Sequence, residues 1–240
     1  MKLNVKVYSD GAQLEDMKAV AAKGLVEGFT TNPSLMKAAG ITDYLAFAKE
    51  AVATFPDQSI SFEVFGNTPE RMLAEAKVLA GLGQHVAVKV PIIRANGDDN
   101  TAVISALSAA GVRVNVTAIT TLTEVKLAVD ALNAKTGGIV SVFAGRVADT
   151  GVDPLPLMKQ SAELCHGKAN VELLWASTRE SINVVQADET GCDIITVPPK
   201  ILNKLDKFGK DAFQVSVDTV KTFDQDIADL GFTIPVPAQA

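Results

Sequence analysis

The sequence lacks the residues and segments on which several common classes of protein depend. It has only two cysteines, Cys165 and Cys192, and no CxxC motif, so a reducing cytoplasm is expected rather than a disulfide framework. Its two histidines, His85 and His166, are far apart and form no HExxH pattern, so no metal site is expected. No apolar run reaches the roughly 18 residues of a transmembrane helix. The segment Met1–Val7 is too short and too alternating for a signal peptide.

The charge balance also narrows the range of partners. The net charge is −6 at pH 7, whereas nucleic acids and anionic membranes attract basic surfaces. We therefore expect neither as a partner. What the chain has in quantity is apolar residues, 48% of 240. That is enough for a substantial core. The length allows one large domain or two small ones, and α/β barrels of this size are common.

Eight short apolar or β-branched runs alternate with longer segments of helical period. These runs predict strands at Asn4–Tyr8, Glu27–Thr31, Ile60–Phe65, His85–Val90, Val112–Thr117, Gly138–Ala144, Val171–Ala176 and Asp193–Val197. Val, Ile and Phe dominate the runs, as in parallel strands covered by helices. Eight strand–helix units predict a (β/α)8 TIM barrel. An open doubly wound sheet is the alternative, but no G-x-G-x-x-G follows any run.

The helix boundaries are marked by capping and turn residues. Asp43 is a predicted N-cap, and Thr68-Pro69-Glu70 opens the next helix with proline at its first position. Glycines are expected where helices end and the chain turns back toward a strand, at Gly24, Gly83, Gly111 and Gly191. We expect residues 1–212 to form the barrel. Residues 213–240 are expected to add a helix and a tail to the same domain.

Lys89 is a charged residue inside the otherwise apolar run Val86–Ile92. An ammonium removed from water is costly unless it is paired, so a lysine in such a place tends to lose its proton. A neutral amine attacks carbonyl carbons and forms a Schiff base. The alternative is a lysine at a strand end whose side chain reaches back to solvent.

Other reactive or hydrogen-bonding side chains stand near the predicted C-terminal ends of strands, where the chemistry of a barrel belongs. These are Asp10, Asn32, Glu63, Asn115, Thr117, Ser141, Arg146, Ser177 and Arg179. Each has a structural alternative. Glu63 could be a buried carboxylate paired to Lys89, Asn115 and Thr117 could make core hydrogen bonds, and the arginines could be surface ion-pair partners.

Five motifs resemble those of the transaldolase family within the class I aldolases. They are Gly28-Phe29-Thr30-Thr31-Asn32-Pro33-Ser34-Leu35, Ser61-Phe62-Glu63-Val64, Val88-Lys89-Val90-Pro91, Val114-Asn115-Val116-Thr117 and Ser141-Val142-Phe143-Ala144-Gly145-Arg146. The resemblance extends from Asp10 to about Pro198, and the chain length is similar to the short members related to fructose 6-phosphate aldolase.

This resemblance implies a role for each matched residue. Lys89 would form the imine with a ketose phosphate, and Asp10 would take the C4 hydroxyl proton during C3–C4 cleavage. Glu63 and Thr117 would hold a water that shuttles protons. The substrate-binding residues implied are Asn32 and Asn115 for hydroxyl groups, Ser141, Arg146, Arg179 and Ser177 for the phosphate, and Phe143 beside the imine. No metal or organic cofactor is implied.

The resemblance implies a transferase that moves dihydroxyacetone from sedoheptulose 7-phosphate or fructose 6-phosphate to an aldose phosphate. The alternatives are a fructose 6-phosphate aldolase, a transaldolase for a modified ketose such as a sulfonated sugar, a phosphate-binding barrel isomerase and a non-catalytic binding barrel. Beyond the barrel, Val217, Val220, Phe223, Ile227 and Leu230 share an apolar face. This face predicts a homo-oligomer, with packing on the chain's own barrel as the alternative.

Overall fold

The eight apolar runs form the eight parallel strands of a closed barrel in a computed structural model that describes residues 3–236. The strands are β1 Lys6–Asp10, β2 Gly28–Thr30, β3 Ser59–Glu63, β4 Val86–Pro91, β5 Val114–Ile119, β6 Gly138–Val142, β7 Val171–Trp175 and β8 Ile194–Val197. Each strand pairs with the next along the chain, and β1 pairs with β8. The predicted (β/α)8 TIM barrel is confirmed.

Helices occupy the segments between the strands and the segment after β8. They are α1 Leu14–Ala22, α2 Pro33–Ala38, α3 Tyr44–Thr54, α4 Pro69–Ala80, α5 Thr101–Ala109, α6 Leu122–Ala131, α7 Ala144–Ala148, α8 Leu155–His166, α9 Ile182–Glu189, α10 Pro199–Leu202 and α11 Ala212–Leu230. No helix within residues 3–236 is both long enough and apolar enough to cross a membrane.

The capping residues that the sequence predicts are confirmed. The Asp43 side chain accepts a hydrogen bond from the Ala46 amide at the start of α3. In the same way, the Thr68 side chain accepts a hydrogen bond from the Arg71 amide at the start of α4. Gly24, Gly111 and Gly191 have left-handed backbones with φ of +66°, +84° and +81°. They therefore supply the turn that follows a helix.

Several predicted boundaries are wrong by a few residues. Phe65 follows the end of β3, because the strand stops at Glu63, and Ala144 begins α7 rather than ending β6. Gly83 is not in the left-handed region, since α4 ends earlier and its C-cap is Gly81. At Gly83 the constraint is packing, because an added Cβ would lie 2.9 Å from the Val52 side chain.

The barrel interior is filled at its N-terminal end by an ionic cluster and an aromatic ring. Glu172 accepts hydrogen bonds from Lys6 and Arg113, so these charges compensate one another. Above them, the Tyr8 ring lies against Gly28, where an added Cβ would approach it to 2.8 Å. Any side chain larger than hydrogen at Gly28 would displace this ring. The interior around Tyr8 is therefore a packed core rather than a pore.

Backbone contacts divide the chain into two units, with the division between Asn203 and Lys204. The first contains the barrel. The second contains a 3₁₀ turn, Leu205–Lys207, and α11, which Asp211 caps by accepting from the Gln214 amide. The predicted helix beyond the barrel is thus confirmed. That residues 213–240 belong to the same domain as 1–212 stays a prediction, and residues 237–240 lie outside the described range.

Candidate active site

A cavity of about 460 Å³ opens at the C-terminal ends of the barrel strands. Most of the residues that the sequence predicts for a site line it: Asp10, Asn32, Glu63, Lys89, Thr117, Phe143, Arg146, Ser177 and Arg179. They come from seven different strands or the loops that follow them. The closed barrel therefore brings together side chains that are far apart in the sequence.

Lys89 lies on β4 with its side chain inside the barrel. The residue is only 6% exposed, so its side chain does not reach back to bulk solvent. Its Nζ donates a hydrogen bond of 2.9 Å to the Thr31 carbonyl oxygen. The partner of Lys89 is thus this backbone carbonyl rather than the Glu63 carboxylate. Glu63 pairs in register with Lys89 across β3 and β4. Because Lys89 also lines the cavity, its amine faces the space that a substrate would occupy.

Asp10 stands at the end of β1 on the same cavity wall. Thr30 donates to its Oδ1 at 2.9 Å, and the hydroxyls of Thr30 and Thr196 are 2.5 Å apart. Burial raises the pKa of the Asp10 carboxyl, while the charge of Lys89 and the Thr30 hydrogen bond oppose that rise. The chain of hydroxyl groups fixes the orientation of the Asp10 carboxyl. In this position Asp10 can act as a proton acceptor.

Glu63 and Thr117 lie on either side of Lys89, on β3 and β5. Burial also raises the pKa of Glu63, against the lowering effect of Lys89 and with a further rise from Asp10. Tyr44 fixes the backbone at this point, because its hydroxyl donates to the Glu63 carbonyl at 2.9 Å and accepts from the Glu63 amide at 2.8 Å. The buried Thr117 hydroxyl makes no hydrogen bond within residues 3–236. Both side chains can thus bind a water or a substrate hydroxyl.

Asn32 is oriented by the helix that it begins. Its Oδ1 accepts a hydrogen bond of 3.0 Å from the Leu35 amide, and Pro33 occupies the first position of α2. The cap uses the amide oxygen and leaves the two N–H groups of the side chain as donors toward the cavity. The Thr-Asn-Pro-Ser-Leu sequence is therefore a helix start that also supplies an amide to the cavity.

Two arginines supply positive charge on the β6–β7 side of the cavity. Arg179 forms a two-pronged ion pair with Asp149, with Nε–Oδ1 3.1 Å and Nη2–Oδ2 2.5 Å. This pairing raises the pKa of Arg179 and lowers that of Asp149. The Arg146 guanidinium carbon lies 5.3 Å from the centre of the Phe143 ring. Arg179 is thus an ion-pair partner, which was the structural alternative to phosphate binding, and it also lines the cavity.

The backbone around these arginines requires a glycine and two unusual conformations. A Cβ at Gly145 would lie 1.7 Å from the Ser177 carbonyl oxygen, so only glycine lets α7 approach the end of β7 this closely. Ser177 and Ala118, which both line the cavity, have left-handed backbones with φ of +63° and +61°. Such strain in residues other than glycine is concentrated at functional sites.

Asn115 and Ser141 do not reach this cavity. They lie one layer deeper in the barrel and are fully buried. Asn115 donates to the Ser61 hydroxyl at 3.0 Å and accepts from the Ser141 hydroxyl at 2.6 Å. In the described structure they therefore make core hydrogen bonds, which was the alternative for Asn115. Their implied contacts with substrate stay predictions.

Three residues of the site were missed by the sequence reasoning. Thr30 and Thr196 form the hydroxyl chain to Asp10, and Asp149 holds Arg179. Thr30 and Thr196 lie near the C-terminal ends of β2 and β8. Their position at the ends of these apolar runs is the sequence signal that could have identified them as site residues. Asp149 follows α7, three residues after Arg146, and carries no comparable signal in the sequence.

Replacing Asp10 with asparagine should stabilise the fold at a pH where the Asp10 carboxyl is ionised. A carboxyl whose pKa is higher in the folded chain binds its proton more tightly there. The stability that it adds is present below the unfolded pKa and is lost as the pH rises through the folded pKa. Thermal unfolding should therefore give Asp10→Asn the higher Tm at about pH 8, and a smaller difference at about pH 5.

The control for this experiment is Asp57→Asn, which changes an exposed carboxylate outside the cavity. It should leave the Tm unchanged at both pH values. A Tm for Asp10→Asn equal to or below that of the unmodified protein at about pH 8 would contradict the assigned cost of burying this carboxylate.

Comparison with known proteins shows which family the sequence matches. The profile of the family described as Transaldolase/Fructose-6-phosphate aldolase matches residues 7–235. A probable transaldolase of Methanococcus maripaludis is 34% identical over 84% of this chain and 89% of the relative. Probable transaldolases of Dehalococcoides mccartyi and Caldicellulosiruptor saccharolyticus are 31% and 32% identical, over 84% and 85% of this chain and 90% of each relative.

Solved structures with a similar fold have much lower sequence identity. The 3-hexulose-6-phosphate synthase of Salmonella typhimurium has a TM-score of 0.60 at 15% identity, covering 83% of this chain and 91% of that one. The 3-keto-L-gulonate-6-phosphate decarboxylase of Vibrio cholerae has a TM-score of 0.53 at 14% identity, covering 82% and 89%. At such identities the likeness shows the fold alone.

Proposed function

The chain belongs to the transaldolase/fructose-6-phosphate aldolase family, and from this premise we propose that it is a transaldolase. In this proposal a dihydroxyacetone unit passes from a ketose phosphate, sedoheptulose 7-phosphate or fructose 6-phosphate, to an aldose phosphate through a Schiff base on Lys89. The observation that carries the proposal is the buried Lys89 amine, which lines a cavity together with the carboxylates of Asp10 and Glu63. This arrangement suits imine chemistry, which needs an amine and groups that move protons beside it.

The first half-reaction forms and then uses the imine. The Lys89 nitrogen adds to the C2 carbonyl carbon of the donor, and water leaves to give an iminium ion. Glu63 and Thr117 bind the water that carries protons to and from the C2 oxygen during this step. Asp10 then takes the proton of the C4 hydroxyl, the C3–C4 bond breaks, and its electron pair moves toward the iminium nitrogen. The aldose leaves, and a dihydroxyacetone enamine stays bound to Lys89.

The second half-reaction reverses these steps with another aldehyde. The enamine C3 attacks the acceptor carbonyl carbon, Asp10 returns its proton to the new C4 oxygen, and water hydrolyses the imine. Arg146 and Arg179 hold the phosphate of donor and acceptor in turn, because guanidinium groups match phosphate oxygens. Asn32 donates to a substrate hydroxyl through the N–H groups that its helix cap leaves free.

Phe143 and Glu63 favour transfer over simple cleavage. At the matching positions the resembling fructose 6-phosphate aldolases carry tyrosine and glutamine. A tyrosine hydroxyl beside the imine would protonate the three-carbon enamine and allow release of dihydroxyacetone, whereas phenylalanine has no proton to give. Glu63 can also exchange protons with its bound water, which a glutamine side chain cannot do.

The test of this proposal compares transfer with release. The protein should transfer dihydroxyacetone from fructose 6-phosphate to erythrose 4-phosphate far faster than it releases free dihydroxyacetone. Phe143→Tyr should raise release and lower transfer, and Phe208→Tyr, outside the lining of the cavity, should change neither. Equal cleavage with and without an acceptor in the unmodified protein would identify a fructose 6-phosphate aldolase instead.

The apolar face of α11 supports assembly of the chain into a homo-oligomer. Phe223 and Ile227 on this face are 57% and 51% exposed in the single chain, and Val220 and Leu230 are exposed beside them. A continuous apolar face of this kind marks a surface for association. In this proposal a second copy of the chain covers it.

Removing this face should therefore reduce the oligomer. Deletion of the residues after Gln214, or the single change Ile227→Asp, should lower the mass measured by light scattering. Thr222→Asp adds the same charge on the opposite side of the helix and should leave the mass unchanged. An Ile227→Asp protein with the mass of the unmodified protein would remove α11 from the interface.

A further inference from the structure

The end of β3 extends beyond its partner strand β2. The Thr31 amide donates to the Ser61 carbonyl at 3.2 Å, and in a regular parallel ladder the Glu63 amide would donate back to the Thr31 carbonyl. The Thr31 carbonyl accepts from the Lys89 Nζ at 2.9 Å instead, and the chain turns away into α2 at Pro33. The backbone amide and carbonyl of Glu63 on the β2 side therefore need another partner.

Tyr44 supplies this partner with a single hydroxyl group. The hydroxyl donates to the Glu63 carbonyl at 2.9 Å and accepts from the Glu63 amide at 2.8 Å. Burial raises the pKa of the Tyr44 phenol, so it keeps the proton that it donates to the carbonyl. Tyr44 is the first residue of α3, and Asp43 fixes that turn by accepting from the Ala46 amide at 2.9 Å. The start of α3 thus takes the place of the strand that β3 lacks at its end.

The ring of Tyr44 is held separately from its hydroxyl. It packs edge-on to Phe62, with ring centres 6.2 Å apart, and against Phe65, with ring centres 4.5 Å apart. The loop that carries Phe65 is fixed in turn by Glu75, whose carboxylate accepts from the Phe65 and Gly66 amides at 2.7 Å and 2.8 Å. Removal of the hydroxyl alone should therefore leave the ring in place.

The Glu63 carboxylate depends on this backbone for its position. Within residues 3–236 the carboxylate makes no hydrogen bond, and Glu63 is held through its main chain. The side chain lines the catalytic cavity beside Lys89, whereas Tyr44 does not line that cavity. Any effect of the Tyr44 hydroxyl on the chemistry is therefore exerted through Glu63.

We propose that Tyr44 is a positioning residue for proton transfer at Lys89, because its hydroxyl fixes the backbone that carries the Glu63 carboxylate. This inference rests on the proposed function. There the Lys89 nitrogen adds to C2 of the donor, and Glu63 gives a proton through its bound water to the C2 hydroxyl of this adduct. The hydroxyl leaves as water, and the nitrogen lone pair forms the iminium bond. A carboxylate displaced from the bound water slows this step, since proton transfer depends on close alignment.

Tyr44→Phe removes the hydroxyl and keeps the ring. It should lower kcat for transfer from fructose 6-phosphate to erythrose 4-phosphate by about 10- to 100-fold, the scale of a misplaced catalytic group. The KM for fructose 6-phosphate should change by less than about threefold, because the proposed phosphate site lies on the β6–β7 side. Reduction with borohydride in the presence of fructose 6-phosphate should still label Lys89, which shows that the variant is folded and keeps a reactive amine.

A double-mutant cycle with Glu63→Gln separates positioning from a general loss of stability. Glutamine keeps the size of the side chain but does not exchange protons with water, so Glu63→Gln alone should lower kcat. In this background Tyr44→Phe should change kcat by less than about threefold, because the group that the hydroxyl positions has lost its chemistry. Tyr8→Phe is the matched control, since Tyr8 is the only other tyrosine of the chain and is buried outside the cavity. It should leave kcat unchanged in both backgrounds.

Three results would overturn the inference. The first is a Tyr44→Phe protein with the kcat of the unmodified protein, or one that no longer folds by circular dichroism, since the hydroxyl would then serve the barrel alone. The second is an equal loss from Tyr44→Phe in both backgrounds. The third is full activity of Glu63→Gln, which would leave no proton transfer for Tyr44 to support. Absence of transfer by the unmodified protein would instead contradict the proposed function on which the inference rests.

Discussion

Replacing Lys89 with methionine should lower the transfer of dihydroxyacetone from fructose 6-phosphate to erythrose 4-phosphate by at least about 10⁴-fold, the scale of losing a covalent nucleophile. Methionine keeps the length and the apolar surroundings of this nearly buried side chain but has no amine to form an imine. The fold should survive, because the hydrogen bond lost to the Thr31 carbonyl is a single one. Steady-state kinetics and circular dichroism together check both expectations.

Lys89→Arg separates a nucleophile from a purely electrostatic lysine. Arginine keeps the positive charge, yet it stays protonated and does not attack carbonyl carbons. If Lys89 acts through its charge, as in a phosphate-binding isomerase, Lys89→Arg should retain much of the activity. We expect it to be as inactive as Lys89→Met. Lys77→Met, which changes an exposed lysine on α4, should be fully active.

Replacing Arg146 or Arg179 with alanine should lower kcat/KM for fructose 6-phosphate. The expected loss of transition-state stabilisation is about 2–4 kcal/mol, the range for truncating one side of a buried charge pair. The reason is that each guanidinium lines the cavity from the β6–β7 side, where the phosphate is proposed to bind. Dihydroxyacetone as a donor should be affected much less, because it carries no phosphate. Comparison of kcat/KM for the two donors measures the difference directly.

The matched control for the two arginines is Arg71→Ala. Arg71 is exposed on α4 and pairs with Glu75, as Arg179 pairs with Asp149, but it does not line the cavity. It should leave both donors unaffected. If Arg179→Ala lowered kcat/KM equally for both donors, the residue would be structural, and its ion pair with Asp149 would be its main role.

The barrel could be predicted from the sequence because its parallel strands are buried on both faces. Each strand therefore reads as an apolar run, and eight runs separated by helical segments close into a barrel. The ends were less well predicted. Phe65 and Ala144 continue apolar runs, but the chain leaves the barrel at Glu63 and begins α7 at Ala144. Local composition does not reveal the residue at which a strand ends and a loop or a helix begins.

The depth of a side chain inside the barrel could not be predicted. Alternation along a strand shows which residues point inward, and it assigns Asn115 and Thr117 to the same face. The structure places Thr117 in the cavity and Asn115 one layer below, where it bonds to Ser61 and Ser141. The level that each residue reaches depends on the stagger of neighbouring strands, which is a property of the closed barrel.

The measurement that tests the central claim most directly is borohydride reduction in the presence of fructose 6-phosphate, followed by peptide mapping. Schiff-base chemistry on Lys89 predicts irreversible inactivation and one modified peptide, in which Lys89 carries the mass of a reduced dihydroxyacetone unit. The Lys89→Met protein should remain unmodified under the same conditions. A dihydroxyacetone adduct on any other lysine, or full activity after reduction, would contradict the account.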